Sequence, residues 1–411
     1  MEKLDIKTNF SKNNIFLEHL SVPTIFKDKK VLSSSFIPDQ ILHREQEIES
    51  LSKTLAPSLR GYQPNNIFIY GTVGTGKTIT IKFILNQLKE IDKGKIKTIY
   101  INCKMKKVAD TEYRLFAQLL KEYGVIVPDT GLPTDVLYRK FFESLEKEGK
   151  IVIIVLDEID ALVSKVGDEF LYNLTRMNSE LKKSQITLIG ITNNLSFRDN
   201  LDVRVKSSLG EEEILFRPYN ALQLKDILKK RIEFGFNYGV VDEGVLNKCA
   251  ALAAQEHGDA RRALDLIRVA AEIAERNGDV KVTEKHANIA EQKLDMDRVI
   301  ETVKSQPKQS QAVLLSIINC ICNGSTWCTN TKSALTGDVL EFYQKICAKN
   351  NINVLTQRRI SDLISELDML GIITSKIISK GRYGRSREIT LAMNDDVLNK
   401  VRTLLQERFE S

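Results

Sequence analysis

The chain has 411 residues, 42% of them hydrophobic and 28% charged, with a formal net charge of +6. At about 150 residues per domain this is too long for one ordinary core, and the balance is that of a globular protein rather than a fibrous or disordered one. The longest apolar run, Ile151–Leu156, falls far short of the ~20 residues that cross a bilayer, so no membrane association is expected. The opening MEKLDIKTNFSKNN is polar and lacks the apolar centre of a signal peptide, which points to the cytoplasm.

In chain order, Asn66–Tyr70, Thr98–Asn102, Ile151–Leu156 and Ile186–Thr192 read as strands, separated by amphipathic helices. Apolar runs of that length between helices indicate a parallel sheet buried on both faces. From Pro218 to about Asp297 apolar residues recur at three and four, and glycines stop each segment, so this stretch reads as all helical. KSQPKQSQ, from Lys304, reads as a linker. Beyond it the pattern gives helices at about Ala312–Cys322, Asp338–Lys349 and Thr356–Leu370. The strands IITSKIISK and SREITLAM follow, joined by GRYGR. Three helices followed by a two-stranded wing is the order of a winged-helix domain, a variant of the helix-turn-helix. The six cysteines, Cys103, Cys249, Cys320, Cys322, Cys328 and Cys347, lack zinc-ligand spacing and read as small core residues in a reducing compartment.

Gly71-Thr72-Val73-Gly74-Thr75-Gly76-Lys77-Thr78 fits G-x4-G-K-[ST], with the strand NIFIY before it and a helix after it. Backbone N–H groups of such a loop close around phosphates at a helix N-terminus. Lys77 is then expected to reach the β- and γ-phosphates, and Thr78 to bind Mg²⁺. The strand ending in Asp157 and Glu158 supplies a carboxylate for Mg²⁺ and one placed to orient or deprotonate the attacking water. Asn193 ends the next strand, where it either meets the γ-phosphate and water or simply turns the chain.

The C-terminal quarter, from Glu301, carries 15 Lys and Arg against 11 Asp and Glu. In the helix from Thr356, the apolar residues Ile360, Leu363, Ile364, Leu367 and Leu370 form one stripe. Arg358 and Arg359 stand at its N-terminal end, where a recognition helix meets base edges. Lys376, Lys380, Arg382, Arg385 and Arg387 fall within the wing, with Tyr383 at its tip. That unbalanced charge suits the minor groove or flanking phosphates of double-stranded DNA.

The phosphate loop, acidic strand tip, asparagine strand tip and helical segment, in this order, resemble AAA+ ATPases. PDQILHREQEIESL, VRVKSSLGEEEILFRPYNALQLKDILKKR, GDARRALDLIR and the C-terminal winged helix resemble the archaeal origin-recognition and helicase-loader initiators. The resemblance implies an α/β P-loop AAA+ base with a parallel sheet, an all-α lid and a C-terminal winged-helix domain. Its boundaries are an N-terminal arm at 1–30, the base at 31–217 with an insertion near 103–145, the lid at 218–300 and the winged helix at 305–411. It also implies ATP or ADP with Mg²⁺, Tyr219 beside the adenine, Arg231 contacting nucleotide and Arg261 as a lid arginine reading the γ-phosphate. Arg204 is the nearest candidate for an arginine finger, but its place differs from that of eukaryotic relatives, so slow hydrolysis is expected. The insertion begins with Lys104, Lys106 and Lys107 and helps hold DNA in that family; from the residues alone it is equally a basic surface loop.

The expected role is therefore recognition of origin double-stranded DNA and help in loading the replicative helicase, with paralogous initiator subunits and the nucleoid as its surroundings. Two rivals remain at this level: a paralogue regulating transcription at promoters with the same parts, and a motor ATPase, which needs pore loops and a sturdy trans arginine.

Overall fold

Unbroken runs of Ile, Val and Leu leave no polar face for water, so such strands must be covered on both sides. The computed structural model, which describes residues 24–105, 109–128, 131–322, 333–379 and 385–410, shows that arrangement. Strands β1 (Asn66–Tyr70), β2 (Ile96–Asn102), β3 (Ile151–Asp157), β4 (Gln185–Thr192) and β5 (Glu211–Leu215) form a parallel sheet in the order β2-β3-β4-β1-β5. β1 and β3 are buried throughout. Alternate residues of β1 serve opposite faces. Ile67 and Ile69 pack with Leu51 and Leu55 of α1 (Glu45–Leu55) and with Ile81, Ile84 and Leu88 of α2 (Lys77–Ile91). Phe68 and Tyr70 belong to the other face, with Leu188 and Phe197. The expected insertion is two helices, α3 (Glu112–Glu122) and α4 (Thr134–Glu148), whose Leu115, Phe116, Leu119, Leu137 and Phe141 join that second core. Lys106 and Lys107 lie outside the described residues.

β5 was not expected from the sequence, because Glu211, Glu212 and Glu213 follow one another and carry no apolar signature. Among the described residues it is an edge strand paired only with β1, and an edge tolerates charge that blocks further pairing. After α5 (Ile159–Val166), α6 (Glu169–Glu180) and α7 (Val203–Leu209) come the lid helices α8 (Ala221–Gly235), α9 (Glu243–Gln255) and α10 (Ala260–Asn277). α8 starts with a reciprocal cap between Asn220 and Gln223, and Gly278 ends α10 in the left-handed region.

The chain divides into two units, residues 1–288 and 289–411. In the second, the expected linker at Lys304 is instead the junction of two helices, α11 (Glu284–Ser305) and α12 (Lys308–Cys322). Pro307 lacks the N–H to continue the first. The polar residues that suggested a linker satisfy helix ends: buried Gln311 donates its amide to the carbonyl of Val303 at 2.7 Å. The domain continues with β6 (Ala334–Leu335), α13 (Thr336–Lys349), α14 (Gln357–Met369), β7 (Ile373–Ser379), β8 (Arg385–Leu391) and α15 (Asp395–Glu410). The three-stranded sheet runs in the order β6-β8-β7. The sequence reading ended at the hairpin; α15 adds Val397, Val401, Leu405 and Phe409 to the core. Thr356 caps α14 as expected, by accepting from the Arg359 N–H. Leu370, expected in the buried stripe, is 45% exposed, because the helix has ended there and Ile372 takes the inward place. Cys103, Cys249 and Cys347 are buried free thiols and Cys320 is half-buried; Cys322 is disulfide-bonded, a departure from the expected reduced set. Cys328 lies outside the described residues.

Among the described residues no helix is long and apolar enough to cross a membrane.

Candidate functional site

In a parallel sheet all carboxyl ends share one edge, and here the tips of β1, β3 and β4 stand side by side there. Tyr70 lies opposite Thr192, and Asp157 opposite Ile191. The loop Gly71–Gly76 leaves β1 at that edge and leads into α2 at Lys77. Gly74 and Gly76 have φ of +75° and +90°. A side chain at either would also collide: a Cβ on Gly74 would fall 1.7 Å from an Asp259 carboxylate oxygen, and one on Gly76 would fall 2.7 Å from the Tyr219 hydroxyl. The glycines therefore permit both the loop's turn and the close approach of the lid. Thr75 is fully buried, and Val73 stands half exposed.

Lys77 is buried, and its ammonium donates to Gly71 O at 2.7 Å, Thr72 O at 2.7 Å and Asn193 Oδ1 at 2.8 Å. The loop lysine and the β4-tip asparagine thus share one point. Burial lowers the Lys77 ammonium to about 8; Asp157 opposes that shift and Arg261 reinforces it. Thr78 Oγ1 donates to Asp157 Oδ2 at 2.8 Å, and the Tyr100 hydroxyl donates to the same carboxylate oxygen. Burial, and then that bond, push the Tyr100 phenol far above its ordinary value, so it stays a donor. Glu158 adopts the left-handed backbone, φ 57° and ψ 48°, and its carboxylate meets Lys104 at 3.3 Å. A non-glycine residue held there carries strain of the sort that clusters at functional positions.

The residues present fit a magnesium nucleotide. Thr78 and Asp157 bring two hard oxygen donors together beside a buried ammonium, the set that binds Mg²⁺ next to phosphate. The Thr72 hydroxyl within the loop is buried without a hydrogen-bond partner, which a phosphate oxygen would satisfy.

The lid reaches this edge at Gly74 and Gly76. Ala260 N donates to Gly74 O at 3.2 Å, and the Asp259 side chain caps α10 by accepting from Arg261 N at 2.7 Å. Tyr219 is buried, with its hydroxyl against Gly76. Buried Arg44 joins loop and lid: its Nε donates to Thr75 O at 3.0 Å and to the Tyr219 hydroxyl at 3.1 Å, and its guanidinium lies 3.9 Å from the centre of the Tyr219 ring. Arg44 also donates to Arg217 O at 2.6 Å and to Glu47 at 2.9 Å. Arg261 is exposed in the first turn of α10. Arg231 is buried and donates to the carbonyls of Val31 at 3.0 Å and Phe36 at 3.2 Å, tying the segment before α1 to the lid. Burial lowers its guanidinium to about 10. Arg204, on α7, is exposed and pairs with its own cap, Asp202, at 3.1 Å.

In the second unit Arg358 and Arg359 are exposed in the first turn of α14. Arg359 is held by its own helix, 3.8 Å from Asp362 and 3.6 Å from Glu366. Lys376 is exposed on β7, directly across from Glu388, so the wing's charge is not wholly unopposed. Arg387 turns toward α14, donating to Ser365 Oγ at 2.5 Å and Ser361 O at 3.4 Å. Lys380, Arg382 and Tyr383 lie outside the described residues, as does the side chain of Arg385.

Three families match along the chain: the AAA domain at residues 60–198, the Cdc6 AAA+ ATPase-type lid domain at 225–292, and the CDC6 C terminal winged helix domain at 301–401. The ORC1-type DNA replication protein of Pyrococcus furiosus is 49% identical over 401 residues, covering 96% of this chain and 93% of that one. The ORC1-type DNA replication protein 1 of Archaeoglobus fulgidus is 50% identical over 390 residues, covering 94% and 93%. The chain belongs to the ORC1-type DNA replication proteins. Among solved structures, the Aeropyrum pernix ORC1 protein in complex with DNA superposes with a TM-score of 0.80 at 43% identity, covering 94% of this ORC1-type chain and 98% of the other. The AAA+ base, helical lid and winged helix expected from the sequence are therefore the architecture of this ORC1-type protein, and the AAA+ fold makes it a nucleotide-binding one.

Sequence reading brought Lys77, Thr78, Asp157 and Asn193 to one edge. It missed Tyr100, which bonds Asp157, and Arg44 and Asp259, which lie against the phosphate loop at Thr75 and Gly74. Arg44 sits in HREQE, where flanking acids suggest a solvated helix start. Only register places Tyr100 beside Asp157: Asn102, two residues on, is Asp157's neighbour across the strands.

Proposed function

We propose that this protein is an ATP-responsive replication initiator that binds origin double-stranded DNA and helps load the replicative helicase. What carries the reading is identity of 49% spread over 96% of the chain to a replication protein, across both the nucleotide edge and the winged helix. ATP or ADP occupies the phosphate loop Gly71 to Thr78, with Lys77 on the β- and γ-phosphates and Tyr219 beside the adenine. Thr78 and Asp157 hold Mg²⁺, which offsets phosphate charge when bound. Glu158 orients the attacking water, Asn193 and Arg261 read the γ-phosphate, and Arg231 acts on the nucleotide through the segment it anchors. Hydrolysis is slow, with Arg204 as the residue offered to a paralogous subunit. Arg358, Arg359, Lys376, Lys380, Arg382, Tyr383, Arg385 and Arg387 form the DNA-binding end, of which Arg387 works by bracing the wing on α14. The protein works on the nucleoid.

The test is affinity for an origin duplex and for a scrambled duplex, in ATP and in ADP, beside Lys77→Ala. The initiator reading expects preference for the origin duplex and a nucleotide effect that Lys77→Ala abolishes. Equal affinity for both duplexes would overturn it.

A further inference from the structure

Tyr100 stands on β2 (Ile96–Asn102), one strand away from the acidic tip of β3, and belongs to none of the motifs of the nucleotide edge. Its hydroxyl donates to Asp157 Oδ2, the oxygen that also accepts from Thr78 Oγ1 at 2.8 Å. Two donors, one from the phosphate-loop helix and one from the neighbouring strand, converge on a single carboxylate oxygen. The ring itself is clamped. It packs against the aliphatic core beneath α2, and the Lys82 ammonium lies 4.5 Å from its centre. Lys82 is four residues after Thr78, hence one turn along the same face of α2. A cation over the ring draws electron density from the phenol and makes its O–H a better donor. The carboxylate of Asp157 is buried, so its orientation depends on these donors rather than on water.

We propose that Tyr100 is a positioning residue for the magnesium site: by occupying one side of Asp157 Oδ2 it fixes the carboxylate so that its remaining lone pairs face the cation's place beside Thr78. This rests on the reading of Asp157 as the Mg²⁺ carboxylate. A ring held only for packing would leave Mg²⁺ handling untouched when the hydroxyl is removed; a positioning hydroxyl would not.

Tyr100→Phe keeps the ring and removes the donor. The experiment measures the dissociation constant of ADP by calorimetry for the full chain, once with saturating Mg²⁺ and once in EDTA. The ratio of the two is the benefit conferred by Mg²⁺. In Tyr100→Phe that ratio should fall roughly tenfold, the loss of one hydrogen bond to a charged acceptor, while the constant in EDTA stays at the wild-type value. An unchanged ratio overturns the proposal, as does an equal weakening in EDTA and in Mg²⁺. Asp157→Asn is measured alongside. If it loses the Mg²⁺ benefit and Tyr100→Phe keeps it, the proposal fails and the site reading stands. If Asp157→Asn itself keeps the benefit, the assignment of the carboxylate falls and the proposal with it.

Discussion

Lys77 shows how the site is poised. Its three donors are spent on Gly71 O, Thr72 O and Asn193, and burial holds its ammonium at about 8. A phosphate beside it would raise that value, so binding above pH 8 must take up a proton. Nucleotide affinity should therefore be flat below about pH 7 and fall toward tenfold per unit above about pH 8, with calorimetry in buffers of different ionisation enthalpy showing the uptake. Lys77→Ala should remove both the binding and the pH dependence. Affinity that stays level to about pH 9 would mean the lysine is not what meets the phosphate. Arg44 is a second residue-scale case. It is 4% exposed and holds the phosphate loop, Tyr219 and Arg217 at once. Arg44→Ala leaves Glu47 and two carbonyls without their donor, and should cost about 2–4 kcal/mol in urea unfolding of the chain. A change under about 0.5 kcal/mol would show that water replaces it freely.

Among elements, the proposed function divides the arginines of α14 and the wing between two jobs. Arg358 is exposed in the first turn of α14, and among the described residues no hydrogen bond holds its side chain. Arg387 reaches from β8 to Ser361 and Ser365 of α14. Arg358→Ala should weaken specific DNA binding by about 1–3 kcal/mol with little effect on stability. Arg387→Ala should lower stability by about 1 kcal/mol and leave the salt dependence of DNA binding nearly unchanged. The reverse pattern would exchange their roles. The same scale explains what could be read in advance. β1, β3 and β4 were legible because unbroken apolar runs admit one interpretation, and the phosphate loop because glycine spacing and context coincide. β5 was hidden by Glu211 to Glu213, which an edge strand tolerates. Gln311 looked like linker because its buried partner, Val303 O, comes from the preceding helix end. Arg44 and Tyr100 escaped because their partners lie 31 and 57 residues away, across the loop and across the sheet. Local pattern reports which face is apolar; it does not report which polar groups meet.

For the whole molecule, relatives such as the Pyrococcus furiosus and Archaeoglobus fulgidus proteins match across both units, so the nucleotide edge and the winged helix belong together as one inherited combination. The nucleotide chemistry alone would suit many proteins, and the winged helix alone would suit any DNA-binding regulator. Their joint presence on an ORC1-type chain makes replication origins the expected target. The most direct measurement is genome-wide mapping of bound sites in the native cell, comparing wild type with Arg358→Ala/Lys376→Ala. The account predicts a small set of sites at replication start points that the variant loses. Sites spread over promoters, or a wild-type pattern retained by the variant, would contradict it.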